Sequence, residues 1–127
     1  MKPLSLSDLP SPEEFEKKRE AMRHRVMEVK ARRRVHVGPH VSFVFENRET
    51  VRWQVLEIGR VEGHATAEKR QEELDVDNEM LPEDGGLSAT MLLELDGEAL
   101  LRKWLPLLVG VAGLAGYRYG RHGRSKR

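Results

Sequence analysis

The chain has 127 residues, 22 Lys and Arg against 21 Asp and Glu, and a formal net charge of +1. That length allows one domain with a real core, and the near-neutral balance selects neither a nucleic-acid nor a membrane partner. Cysteine is absent, which excludes disulfides, thiolate zinc sites, Cys-ligated iron–sulfur clusters and thiol nucleophiles within the chain. The charge is unevenly placed. Lys17–Arg34 is basic, Glu62–Asp84 is acidic, and Tyr117–Arg127 is basic without an acid. The first two blocks are expected to be solvated helix faces that partly neutralise each other.

Residues 1–10 read as an irregular lead with no apolar core flanked by a cleavage site, so no secretory leader is expected. A cytoplasmic location fits this and the missing cysteines. Ser11-Pro12-Glu13-Glu14 is a helix start: Ser11 caps, Pro12 suits the first helical position, and Glu14 completes a capping box. Phe15, Met22, Val26 and Val29 then fall on one stripe of a helix over Pro12–Arg33. Val35–Val37 and Val41–Glu46 read as strands around Gly38-Pro39. In the second, Val41, Phe43 and Phe45 share one face, while His40, Ser42 and Val44 share the other.

Val51, Trp53 and Val55 alternate as in a strand, but Leu56 and Ile58 break that pattern. Asn47 as an N-cap and Gly63 as a C-cap favour a helix over Arg48–Glu62. Thr66 caps a further helix reaching Asn78, with Leu74 and Val76 nearly its only apolar anchors. After a loop at Pro82–Gly86, Leu87–Leu95 alternates cleanly, with Leu87, Ala89, Met91, Leu93 and Leu95 on one face. Glu98 to Val109 returns to helix, and Pro106 is expected to kink or end it. The apolar run from Leu105 to Ala115 is short for a bilayer span.

Arg32-Arg33-Arg34-Val35, Gly38, the run Phe45-Glu46-Asn47-Arg48, Thr50-Val51, Gln54, Glu73-Leu74 and Leu87-Ser88-Ala89-Thr90 together resemble a prokaryotic family of unknown function, domain-of-unknown-function family 3501. The likeness covers about Ser7 to Gly110, and Phe-Glu-Asn-Arg followed by Thr-Val-x-x-Gln is its most specific piece. The resemblance implies no catalytic residue and no cofactor. It implies a neighbourhood, because such genes look to lie beside rubrerythrin-like and iron–sulfur oxidoreductase genes. Family members are typically longer, with further strands after the last helix, so a natural short form or a C-terminally truncated one is expected to leave a sheet edge open for self-association or a companion subunit.

Three constellations are candidates for chemistry. Glu46, Asn47 and Arg48, with Arg52 and Gln54 beyond them, are the ligand or interaction candidates: a carboxylate, an amide and a guanidinium at a strand end can grip a small polar or anionic molecule. Capping by Asn47 and local pairing of Glu46 and Arg48 explain the same residues structurally. Arg32, Arg33 and Arg34, with Arg118, Arg121 and Arg124 of the tail, are candidate phosphate contacts, beside Tyr117 and Tyr119 as stacking rings. His36 and His40 are weak metal candidates, four apart but across Gly38-Pro39, and would need Glu46 or Glu57 brought to them. No Walker loop, GxGxxG or GxSxG motif is present, which leans against an enzyme.

The expected architecture is a single α+β domain: a long N-terminal helix and a small, mainly antiparallel sheet with helices on one face, followed by a basic, disordered tail at 117–127. The favoured function is a non-enzymatic accessory protein of redox or iron–sulfur enzymes, with a protein partner. A nucleic-acid-binding module and a small metal-binding protein are the alternatives.

Overall fold

The computed structural model describes residues 1–63 and 66–115. Four helices and a small antiparallel three-stranded sheet give an α+β fold. The order is α1 (Pro12–Arg33), β1 (Arg34–Val37), β2 (Val41–Phe45), α2 (Arg48–Glu62), α3 (Ala67–Asp77), β3 (Ala89–Leu93) and α4 (Glu98–Ala115). Contacts group into two compact units, Met1–Arg34 with Phe45–Ala89, and Val35–Val44 with the described residues from Thr90 onward. The basic tail with Arg118, Arg121 and Arg124 lies outside the described residues.

The first unit holds the larger core. α1 starts as its sequence requires: Ser11 Oγ accepts the Glu14 N–H at 3.2 Å, and Pro12 occupies the first turn. Only half of the expected capping box forms, because the Glu14 carboxylate lies toward Lys18 instead, at 4.0 Å. α2 begins with a complete reciprocal box. The Asn47 side chain accepts the Thr50 N–H at 3.0 Å, and the Thr50 hydroxyl accepts the Asn47 N–H at 2.9 Å. Gly63 ends α2 at φ 69°, a left-handed conformation that favours glycine, with its N–H bonded to the Gly59 carbonyl.

α1 and α2 run antiparallel, as their ion pairs show. Arg60 reaches Glu16 at 2.7 Å, Arg19 grips Glu57 with two N–H groups at 2.7 and 3.3 Å, and Arg25 grips Glu49 with two at 3.1 Å. Arg19 and Arg25 of the basic block find their carboxylates on α2. Between the helices, Phe15, Val51, Val55 and Leu56 join Leu74, Met80 and Leu81 in one buried cluster. Phe15 meets Trp53 edge to face at 5.7 Å between ring centres.

The N-terminal lead is more ordered than its composition suggests. Leu4 and Leu9 are buried in the same cluster, and Leu6–Asp8 forms a single 3-10 turn. Asn78 holds the lead by accepting the Leu4 N–H at 2.8 Å and donating to the Leu4 carbonyl at 3.0 Å.

In the second unit β2 lies between β1 and β3. Gly38, at φ 70°, makes the turn from β1 to β2. The Glu94 N–H bonds to the His40 carbonyl, and at the strands' other ends, in the first unit, the Glu46 N–H bonds to the Ser88 carbonyl. That crossing order marks an antiparallel pair.

Two expectations are corrected here. β3 is shorter than the alternating run, and its covered face carries Ser88 and Thr90, while Leu87 is 81% exposed and Ala89 is also exposed. β2 likewise buries Ser42 and Val44 more deeply than Val41, Phe43 and Phe45. Alternation fixes which residues share a face but not which face receives a neighbour, and here small hydroxyl side chains take the covered side. The last helix also outruns its expected end at Val109 and continues through Pro106 to Ala115. A proline removes one backbone hydrogen bond and crowds one carbonyl, and the flanking Leu, Val and Ala residues are compatible with helix on both sides.

Candidate functional site

The junction between β2 and α2 gathers the residues that stood out in the sequence, but it binds them to the protein itself. Arg33, at the end of α1, donates from Nε to the Phe45 carbonyl at 2.7 Å and from Nη2 to the Glu46 carbonyl at 3.4 Å. Glu46 is 5% exposed, and its Oε1 accepts the Thr50 hydroxyl at 2.6 Å. Asn47 is the cap of α2. Arg48 turns toward the N-terminal lead, donating to the Lys2 carbonyl at 2.9 Å and to Asp8 at 3.1 Å. The Ser5 backbone N–H, the Ser5 hydroxyl and the Arg48 charge together hold the Asp8 carboxyl below the usual carboxylate range. Glu46 thus bonds Thr50, Asn47 caps α2 and Arg48 ties down the N-terminal lead.

The remaining candidates separate. Gln54 makes a weak contact to Met80 Sδ at 3.5 Å. Arg32 is exposed near the end of α1, whereas Arg33 is engaged by the β2 carbonyls and Arg34 has interactions of its own. His36 is exposed on β1. His40 sits with its Nδ1 3.2 Å from the Glu94 carbonyl and its ring against Trp104, with ring centres 6.1 Å apart. Of the carboxylates they would need, Glu46 bonds Thr50 and Glu57 bonds Arg19. No group of three or more His, Asp or Glu side chains suited to a metal occurs among the described residues.

Two clefts lie in the first unit. One, of about 190 Å³, has Leu9, Phe15, Val55 and Leu56 in its walls and the Glu16–Arg60 pair at its edge. The other, of about 310 Å³, runs between α1 and α2 and is lined by the charged Lys18, Arg25, Glu49 and Arg52 and the apolar Ala21, Met22, Val26 and Trp53. Its electrostatics are one-sided, with three cations to one carboxylate. Hydrogen bonds from Arg25 hold the Glu49 carboxyl below the usual range, and the charges of Arg25, Arg52 and Arg32 lower it further.

The sequence reading singled out Arg52 but not its neighbours in this groove. Lys18 and Trp53 stand on different helices, and no single-element pattern could pair them.

A carboxylate depressed in the folded state stabilises that state above its ordinary titration range and loses the effect as pH falls through its lowered value. The stability difference between wild type and Glu49→Gln is thus expected to be full at neutral pH and to vanish in acid. Both partners of the pair are more than two-fifths exposed, so its size is at most about 1 kcal/mol. Urea unfolding of both proteins across that pH range checks it.

Comparison with known proteins agrees with the fold. A family model, described as a protein of unknown function (DUF3501), matches residues 3–117. The chain belongs to the DUF3501 family. A solved structure of a novel protein of unknown function from Burkholderia pseudomallei K96243 is 33% identical with a TM-score of 0.78. The match covers 84% of this chain and 60% of that one, so the chain spans less than two thirds of that relative's length. No curated protein matches. Family membership extends the likeness on both sides of the Ser7–Gly110 stretch, and it assigns no chemistry.

Proposed function

We propose that this DUF3501 chain is a non-enzymatic accessory protein whose task is to hold another protein, with the second unit as the contact face. The observation that carries the reading is the apolar surface of that unit: Val35, Val37, Leu101, Leu105 and Leu107 are each 41–63% exposed. Scattered apolar residues on a surface are ordinary, but α4 presents Leu101, Leu105 and Leu107 within two turns, and its only half-buried residue from Leu101 to Leu107 is Trp104. A helix this apolar ordinarily finds a covering surface. Among the described residues no helix is long and apolar enough to cross a membrane, so a protein partner is the favoured cover. The residues most suggestive of catalysis or ligand binding at the β2–α2 junction serve as caps and clamps, which also fits a non-enzymatic role.

A redox or iron–sulfur enzyme as the partner rests on the family resemblance. The nucleic-acid alternative rests on the exposed Arg32 and on Arg118, Arg121 and Arg124, which lie outside the described residues, while Arg33 is engaged by the β2 carbonyls.

The test is a tagged, nuclease-treated pull-down from native cells with wild type and with Leu101→Glu/Leu105→Glu. Wild type should recover a protein in near-stoichiometric amount, and the double variant should lose it by at least about tenfold, as charge placed in an apolar contact costs several kcal/mol. A rubrerythrin-like or iron–sulfur protein in the eluate would support the narrower reading. A monodisperse wild-type monomer with no protein recovered would overturn the proposal.

A further inference from the structure

We propose that the groove between α1 and α2 binds a small organic carboxylate with an apolar body, the carboxylate held by Arg52 and Lys18 and the body laid against Trp53 and Met22. This site lies in the first unit and does not depend on the partner reading above.

The first observation is an orphaned donor. Arg52 Nε is buried and has no hydrogen-bond acceptor among the described residues. A buried donor left without an acceptor carries a desolvation cost that native proteins rarely tolerate. A guanidinium edge is satisfied best by a planar, two-oxygen acceptor, which a carboxylate supplies.

The second observation is the balance of charge. Arg25 already directs two N–H groups to the sole carboxylate of the groove, Glu49. That pair leaves Lys18 and Arg52 as the cations able to receive a ligand anion. Lys18 is only loosely held, 4.0 Å from Glu14.

The third is the lining. Ala21, Met22, Val26 and Trp53 form an apolar wall beside these cations. Its volume of about 310 Å³ stands at the small end of ligand sites. A cavity of about 150 Å³ is enough for a single benzene ring, so a ring with a short acid arm fits. The groove is also preformed, because α1 and α2, its two walls, share a buried cluster and are bridged by three ion pairs, one of them in the groove itself.

The neighbouring apolar cleft makes the contrast. There Arg60 is paired with Glu16, and Arg70 donates to the Pro10 carbonyl, so its basic side chains are engaged.

The experiment uses the full chain carrying Trp104→Phe, which leaves Trp53 as the single tryptophan of the two present. Phenylacetate, its neutral analogue phenylacetamide, and inorganic phosphate are each titrated while Trp53 emission is followed. Phenylacetate should give a saturable change. Phenylacetamide, phosphate, and phenylacetate on Arg52→Met should each bind at least about tenfold more weakly, or 1.4 kcal/mol. Arg52→Lys, which keeps the charge but loses the planar fork, should fall between.

The absence of a saturable change with phenylacetate would overturn the proposal. So would equal binding of phenylacetamide, which would remove the anion, or equal binding of phosphate, which would remove the apolar body. Unchanged affinity in Arg52→Met would remove Arg52. Should Arg52→Met fail to fold, the comparison of the three probes on the unaltered groove decides the matter alone.

Discussion

Leu74→Ala is expected to destabilise the first unit by about 4 kcal/mol, near the upper end for a leucine truncated in a well-packed core. The reason lies in the composition of α3. Its eleven residues, Ala-Glu-Lys-Arg-Gln-Glu-Glu-Leu-Asp-Val-Asp, include one large apolar side chain that is fully buried, Leu74 at 0% exposed. Val76 is half-buried and Ala67 is exposed. Leu74 belongs to the cluster containing Val51, Val55, Met80 and Leu81, so its loss leaves a cavity bounded by three chain segments that are not free to collapse together. Urea unfolding followed by far-ultraviolet circular dichroism reads the change. A loss below about 1 kcal/mol would mean that α3 is not docked through this residue. Val61→Ala, at a residue 77% exposed, is the control and should stay within about 0.5 kcal/mol of wild type.

Thr50→Val is expected to cost about 2 kcal/mol although it preserves the shape of the side chain. The Thr50 residue is 1% exposed, and its hydroxyl has two tasks. It donates to Glu46 Oε1 at 2.6 Å and accepts the Asn47 N–H at 2.9 Å. Valine removes both bonds at a buried junction, where water to replace them is scarce. The same hydroxyl closes the box that starts α2, so the effect includes fraying of that helix at its first turn. Thr50→Ser retains the hydroxyl and should recover most of the loss. Equal stability of Thr50→Val and wild type would show that the box contributes nothing beyond packing.

Thr50 also shows where sequence reading stops. Asn47 was legible as a cap because an Asn beside a helix-period pattern has one dominant local use. That a threonine rather than an acid closes the box is a finding of the structure, as is the failure of Glu14 to close the box at Ser11. Local chemistry nominates a donor and an acceptor, but the surrounding chain decides whether a side chain turns inward or toward a lysine.

The extents of α1, α2 and α3 were determined locally, by Ser11-Pro12 and the basic last turn of α1, by Asn47 and Gly63 at the ends of α2, and by Thr66 before α3. Those signals act within one turn of helix and need no distant partner. The strands of the sheet, and the groups of residues sharing each strand face, were set the same way by alternation.

Burial was decided elsewhere. Ser42, Ser88 and Thr90 lie covered while Leu87 is exposed, because the covered side of a strand is chosen by whatever packs on it, and alternation is symmetric about the sheet. The groove at Arg52 was likewise invisible along the chain. Lys18 and Trp53 both line it because a shared buried cluster packs α1 against α2, antiparallel as their ion pairs show. Periodicity assigns a residue to one face of its own helix; only the packing of two helices determines what that face confronts.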